Sequence, residues 1–214
     1  MKDEYDLVVV GGGLSGVCAA ISAARLGCSV ALVQDRPVLG GNSSSEIRVP
    51  IGGACNFNPW SRETGILEEL HLEDRTLNAR RVWMGEATSI WDLVIYNAVV
   101  AEPRIDLFLN TMARDVVMAS AGQPRIREIV CTQLGSEQEL KVRGKRFVDA
   151  SGDATIAFKA GATTRMGREG KAEFNETLAP DKPDDYTMGS TLAFHASDAG
   201  RPVPFVPPPW AAVF

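Results

Sequence analysis

Residues 5–36 open with Tyr5-Asp6-Leu7-Val8-Val9-Val10, pass through Gly11-Gly12-Gly13-Leu14-Ser15-Gly16 and an Ala-rich run, and close on Val30-Ala31-Leu32-Val33-Gln34-Asp35-Arg36. The order is strand, glycine turn, helix, strand. That unit holds a dinucleotide pyrophosphate against a helix N-terminus. In the Gly-x-Gly-x-x-Gly spacing, Gly11 permits the tight turn and Gly13 removes a side chain where the backbone approaches the phosphates. Gly16 lets helix and strand pack closely. The free N–H groups of Leu14, Ser15 and Gly16 and the positive end of the helix dipole then face an anion.

The alternation continues outward from this unit. A strand over 5–10, a helix over 15–26 and a strand over 29–34 make a right-handed βαβ unit with parallel strands. Residues 37–60, rich in Gly, Ser, Asn and Pro, read as a long functional loop. Ser61 or Thr64 is placed to cap a helix through residues 65–70, and residues 91–100 read as a buried helix that stops near Pro103. A third strand is expected over 106–110. Runs of strand character near 113–119, 125–134 and 139–149 are separated by short turns and predict an antiparallel meander.

Composition bounds the function classes. The chain has 214 residues, 45% of them hydrophobic, enough for a buried core. A net charge of −5 without a basic cluster argues against nucleic acid or an anionic membrane as the main partner. No run approaches ~20 consecutive apolar residues, and residues 1–5 lead straight into the first strand, so the cytoplasm is the expected compartment. Cys18, Cys28, Cys55 and Cys131 form no CxxC and come with two histidines, which suggests neither a metal site nor a disulfide framework.

A second chemical feature follows the last strand: Val148-Asp149-Ala150-Ser151-Gly152-Asp153. Small residues at the carboxyl end of a strand let a cofactor approach, since ligands of open α/β sheets sit outside that edge. The alternative is a plain turn in which Asp153 or Ser151 caps a helix over 154–160.

Together, Gly11 to Gly16, Arg36-Pro37-Val38-Leu39-Gly40-Gly41-Asn42-Ser43, and Val148 to Asp153 followed by Ala160-Gly161-Ala162 resemble the FAD-dependent oxidoreductases of the glutathione-reductase type. The resemblance covers almost all of the chain. It implies an α/β fold: a Rossmann-like FAD/NAD(P)-binding domain over 1–165, with a parallel sheet and an antiparallel meander. An incomplete substrate-domain segment with a Pro-rich end follows over 166–214, its opening strand near 187–205. It also implies FAD as cofactor. Gly11, Gly13, Leu14, Ser15 and Gly16 would hold the pyrophosphate, and Gln34, Asp35 and Arg36 the adenosine ribose. Gly40, Gly41, Asn42, Ser43 and Ser44 would face the phosphate and ribityl side, and Ala150, Ser151, Gly152 and Asp153 the far side. The backbone around Ala113 and Arg114 would border the adenine.

This chain departs from the family pattern in two places. Strand two ends in Gln34 where the family normally has Glu, and Asp35 replaces that acid only if the strand has already broken into loop. A neutral residue followed by Arg36 also permits an NADP reading, in which Arg36 pairs with a 2′-phosphate. The resemblance also implies a longer chain, so the family's C-terminal segment is expected to be missing here. Three readings follow, resting on the ordered glycine motifs, on Gln34 and Arg36, and on the missing segment respectively. The first is an FAD-dependent oxidoreductase, or its cofactor-binding portion, moving hydride between a small-molecule substrate and flavin N5. The second is an NAD(P)-dependent dehydrogenase with a single Rossmann domain. The third is a truncated, non-catalytic nucleotide-binding protein, with self-association or a completing chain supplying the missing part.

Two residues are candidates for the reacting side. Arg48, in the strand-like run Ile47-Arg48-Val49-Pro50, would clamp a substrate carboxylate or stabilise a reduced flavin; its alternative is an edge residue paired with Glu46. Cys55 would be a flavin-adjacent or a structural thiol, with no second cysteine for a dithiol relay. His195 and His71 read as exposed, and Trp60, Trp83 and Trp91 as packing residues.

Overall fold

The computed structural model describes residues 2–52, 64–78, 88–120, 124–189 and 197–211. Cys55, Trp60, Ser61, Trp83 and His195 lie outside them. The elements run β1 (Tyr5–Val10), α1 (Leu14–Arg25), β2 (Val30–Val33), α2 (Ile66–Leu77), α3 (Ser89–Val100), β3 (Ile105–Phe108), β4 (Thr111–Met118), β5 (Ile126–Gln133), β6 (Gln138–Asp149), α4 (Thr155–Lys159) and α5 (Lys171–Phe174).

One six-stranded sheet has the order β3-β2-β1-β6-β5-β4. β1 pairs in parallel with β2 (Val8 opposite Ala31) and with β6 (Val8 opposite Phe147), and β2 pairs in parallel with β3. β5 runs antiparallel to both β4 and β6, which is the expected meander. β6 joins the two parts: residues 138–143 pair with β5, and 144–149 pair with β1. Gly144 stands at the handover, where a Cβ would sit 2.6 Å from Val8 Cγ2.

Side-chain alternation explains why β1 after Asp6 and all of β2 are apolar. Val9, Val30 and Leu32 face one cluster with Val17, Ala20, Ile21, Trp91, Ile95 and Val99 from the helices. Val8, Val10, Ala31 and Val33 face a second with Ile129, Cys131, Val142 and Ile156. A strand buried on both faces must be apolar on both. α1 buries Gly16, Val17, Ala20, Ile21 and Ala24, the spacing of one helix face.

Local expectations fail where capping chemistry differs from the sequence cue. The N-cap of α2 is Gly65, not Thr64, and no side chain caps it. α4 begins at Thr155 with Ala154 at the N-cap, so neither Asp153 nor Ser151 holds that position. Residues 47–50 form no strand: Arg48 sits in a turn with φ 64°. His71 is not an exposed residue; its side chain is 17% exposed and its ring lies 5.6 Å from that of Trp91. No helix among the described residues is long and apolar enough to cross a membrane.

A glycine-lined cleft at the carboxyl edge of the sheet

The parallel strands end at a common edge, and backbone hydrogen bonds tie the segments that leave them. Gly11 N–H donates to Val33 O (2.8 Å) and Ala150 N–H to Val10 O (2.7 Å). Gly40 N–H donates to Gly12 O (2.8 Å), which ties the double glycine to the first glycine turn. Thr111 N–H donates to Gln34 O (2.8 Å), which brings the start of β4 to the same edge. The half-open cleft at this edge has a volume of about 800 Å³, within the range of small-molecule and cofactor sites.

Most of the residues singled out by sequence line it: Gly11, Gly13, Leu14, Ser15, Gln34, Asp35, Arg36, Gly40 to Ser44, Ala113, and Ala150 to Asp153. Three described candidates do not. Gly16 lies beneath the turn, packed on the Gly11 carbonyl and 3.3 Å, by a built Cβ, from the Ala150 methyl. Arg114 turns its guanidinium to Glu139 (2.8 Å). Arg48 is exposed and donates from Nε to Ser45 O (3.0 Å). Glu46 pairs instead with Arg36 (2.9 Å) at the cleft mouth, and this bond raises the pKa of the Arg36 guanidinium.

The glycine turn presents donors and no side chain. The first intrahelical bond of α1 runs from Val17 N–H to Gly13 O (2.9 Å), so the N–H groups of Leu14, Ser15 and Gly16 precede it. The first turn contains no acidic residue. Gly13 packs directly on the double glycine: it bridges to Gly40, and a Cβ built on Gly41 would lie 3.1 Å from Gly13 Cα. Glycine at 13 and 41 therefore keeps the positive end of α1 free of side chains where an anion would approach.

Support for the loops comes from Gln34 and Trp91, which the sequence suggested for other roles, and from Gly12 and Asp92, which it did not single out. Gln34 Oε1 accepts from Gly12 N–H (2.7 Å), and its Nε2 donates to Val38 O (3.2 Å). Gly12 is a free position in the glycine template, yet a Cβ there would meet Leu39 Cδ2 at 2.5 Å and Gln34 Cβ at 3.0 Å. From α3, Trp91 Nε1 donates to Ser43 Oγ (3.3 Å), while Asp92 accepts from the N–H (2.9 Å) and hydroxyl of Ser45. The sequence cue for Asp92 was available in principle, as a carboxylate in the first turn of an otherwise apolar helix.

Asp149 organises the opposite wall. It accepts from Ser151 N–H (3.0 Å), Ser151 Oγ (2.6 Å) and Ala157 N–H (2.8 Å), while Ser151 Oγ accepts from Thr155 N–H (3.0 Å). Burial pushes the carboxyl up, but the hydrogen bonds from Ser151, Ala157 and Ile156 outweigh it and hold its pKa below the usual carboxylate value. A depressed folded-state pKa adds stability that is present above the unfolded value of about 4 and lost as pH falls through the folded value. Asp149→Ala is therefore expected to cost about 2 kcal/mol at neutral pH. Thermal unfolding at a series of pH values checks this, and the gap to wild type should narrow as pH falls below about 4.

The chain is similar to several known proteins. Over 158 residues the chain is 30% identical to the soluble pyridine nucleotide transhydrogenase of Ectopseudomonas mendocina, covering 70% of this chain and 31% of that protein. It is 43% identical over 52 residues to the aerobic glycerol-3-phosphate dehydrogenase of Staphylococcus aureus, covering 24% of this chain and 9% of that one. The match thus spans about a third of the first relative's length. Among solved structures, THI4 of Thermovibrio ammonificans aligns with a TM-score of 0.53 at 24% identity, over 84% of this chain and 76% of that one. The myxobacterial chondrochloren halogenase CndH aligns with a TM-score of 0.55 at 17% identity, over 78% and 41%. These two likenesses concern the fold. The family model described as FAD dependent oxidoreductase matches residues 6–209, nearly the whole sequence, and the chain belongs to that family.

Proposed function

We propose that the chain is the cofactor-binding portion of an FAD-dependent oxidoreductase acting on a small-molecule substrate. Family membership supports FAD as the cofactor, and this reading puts it in the cleft. The observation that carries the site assignment is the side-chain-free N-terminus of α1 at the cleft, where Gly13 packs on the double glycine and both line the cleft. In this reading the N–H groups of Leu14, Ser15 and Gly16 hold the pyrophosphate, and residues 34–36 lie along the adenosine ribose. Gly40 to Ser44 border the phosphate and ribityl side, Ala150 to Asp153 the far side, and Ala113 the adenine. Bound FAD supplies hydride transfer at N5 of its ring. What the protein contributes here is a preorganised loop: Trp91 and Asp92 hold residues 43–45, and Asp149 holds the turn after β6. Arg48, three residues beyond Ser45 and exposed, is the side chain in this reading that remains available to a substrate carboxylate.

The NADP alternative finds less support, because Glu46 already neutralises Arg36, the residue it needs. Residues 1–165 make the cofactor domain in this reading, and 166–214 open a substrate domain in a cytoplasmic enzyme. Beyond α4 the described elements are α5 and one bridge between Arg168 and Asp184. Leu178 is 98% exposed and Met188 96%, apolar surface that self-association or a completing chain would cover. The visible absorbance spectrum of the purified chain, recorded before and after heat release of ligand, tests the cofactor. Flavin bands that pass to the filtrate are expected. A chain that stays colourless after incubation with excess FAD would overturn the reading.

A further inference from the structure

Resting on the FAD reading, we propose that Gln34 is a positioning residue that braces the glycine turn, and that Asp35 is the acid whose carboxylate meets the adenosine ribose hydroxyls. The division follows from what each side chain is already doing. Gln34 is 5% exposed and both ends of its amide are used, the oxygen on Gly12 N–H and the nitrogen on Val38 O. Those two partners, one donor and one acceptor, demand an amide. A glutamate would set a carboxylate oxygen against the Val38 carbonyl with no proton between them. The residue at position 34 is therefore chosen by the loop it ties together.

β2 ends at Val33, Gln34 N–H makes the last ladder bond to Phe108 O (2.9 Å), and the chain bends at Asp35 and Arg36. Strand alternation, which would have sent Asp35 to the far face, no longer applies. Asp35 lines the cleft, is exposed, and makes no hydrogen bond or ion pair among the described residues beyond a through-space attraction to Arg36. Of the other charged groups at this mouth, Arg36 and Glu46 hold each other. Asp35 thus has acceptor capacity for two hydroxyls, and its charge disfavours a 2′-phosphate in the same place.

Calorimetric titration of the full chain with ADP and with its 2′,3′-dideoxy counterpart tests this, alongside FAD as the control. Asp35→Asn is expected to weaken ADP binding about tenfold or more while the dideoxy analogue stays within about twofold of wild type. Gln34→Glu is expected to weaken both nucleotides alike, because it loosens the loop. An Asp35→Asn chain that binds both analogues as wild type does, or loses both equally, overturns the proposal. So does a Gln34→Glu chain that gains affinity for ADP alone. If wild type binds FAD and Asp35→Asn has no hydroxyl-dependent effect, the cofactor reading stands and this assignment falls. If wild type binds none of the three ligands, both fall.

Discussion

Replacing Gly16 by alanine is expected to lower the midpoint of thermal unfolding by about 10 °C, the consequence of about 3 kcal/mol or more of overpacking in a chain of this size. An added Cβ would overlap the Gly11 carbonyl oxygen and lie 3.0 Å from the Gly11 carbonyl carbon. These are backbone atoms, and they cannot swing aside. Gly11 N–H is bonded to Val33 O at 2.8 Å, and the neighbouring Ala150 N–H to Val10 O at 2.7 Å, so the turn is tied to strands on both sides. Relief would come from lifting α1 off the sheet. That would uncover Val17, Ala20 and Ile21, all fully buried. Circular dichroism melts of wild type and Gly16→Ala decide it, and a midpoint within about 2 °C of wild type would mean that helix and strand do not pack through this contact.

The same logic separates what was legible in the sequence from what was not. β1, α1 and β2 were readable because three constraints coincide over residues 5–36: apolar runs, a glycine template and helix periodicity. The meander was readable because its strands are joined by short polar turns, and Gln133 and Gln138 flank one of them as paired residues. Handover of β6 between two partners was not readable, since an unbroken run of strand character carries no mark of which residues pair with β5 and which with β1. The loop supports were also hidden. Gln34 to Gly12, Trp91 to Ser43 and Asp92 to Ser45 are contacts between residues 22, 48 and 47 positions apart, and no local pattern specifies a partner at that distance. Arg48 was misread for a local reason. The run Ile47-Arg48-Val49 has the alternation of a strand, but Arg48 N–H and Val49 N–H are committed to Ser44 O and Asn42 O, bonds that close a turn.

Gly13→Val should separate fold from ligand, where Gly16→Ala acts on the fold. Gly13 has φ −63° and ψ 171°, an extended conformation open to any residue. A Cβ there meets only Gly41 Cα, at the ordinary contact distance of 3.9 Å. The empty chain should therefore fold, with a melting midpoint within about 2 °C of wild type. Yet the methyls beyond that Cβ would project over the N-terminus of α1, where the cofactor's phosphates are proposed to lie. Gly40 N–H is bonded to Gly12 O at 2.8 Å, which ties the double glycine in place, so the loops cannot move apart to admit both. Affinity for FAD is expected to fall about a hundredfold or more, which corresponds to roughly 3 kcal/mol of steric conflict. Fluorescence titration with FAD and a parallel melt supply the two readouts. Wild-type affinity in a folded Gly13→Val chain would mean that the phosphates pass elsewhere. An unfolded variant would mean that Gly13, like Gly16, is required by the packing of the chain itself.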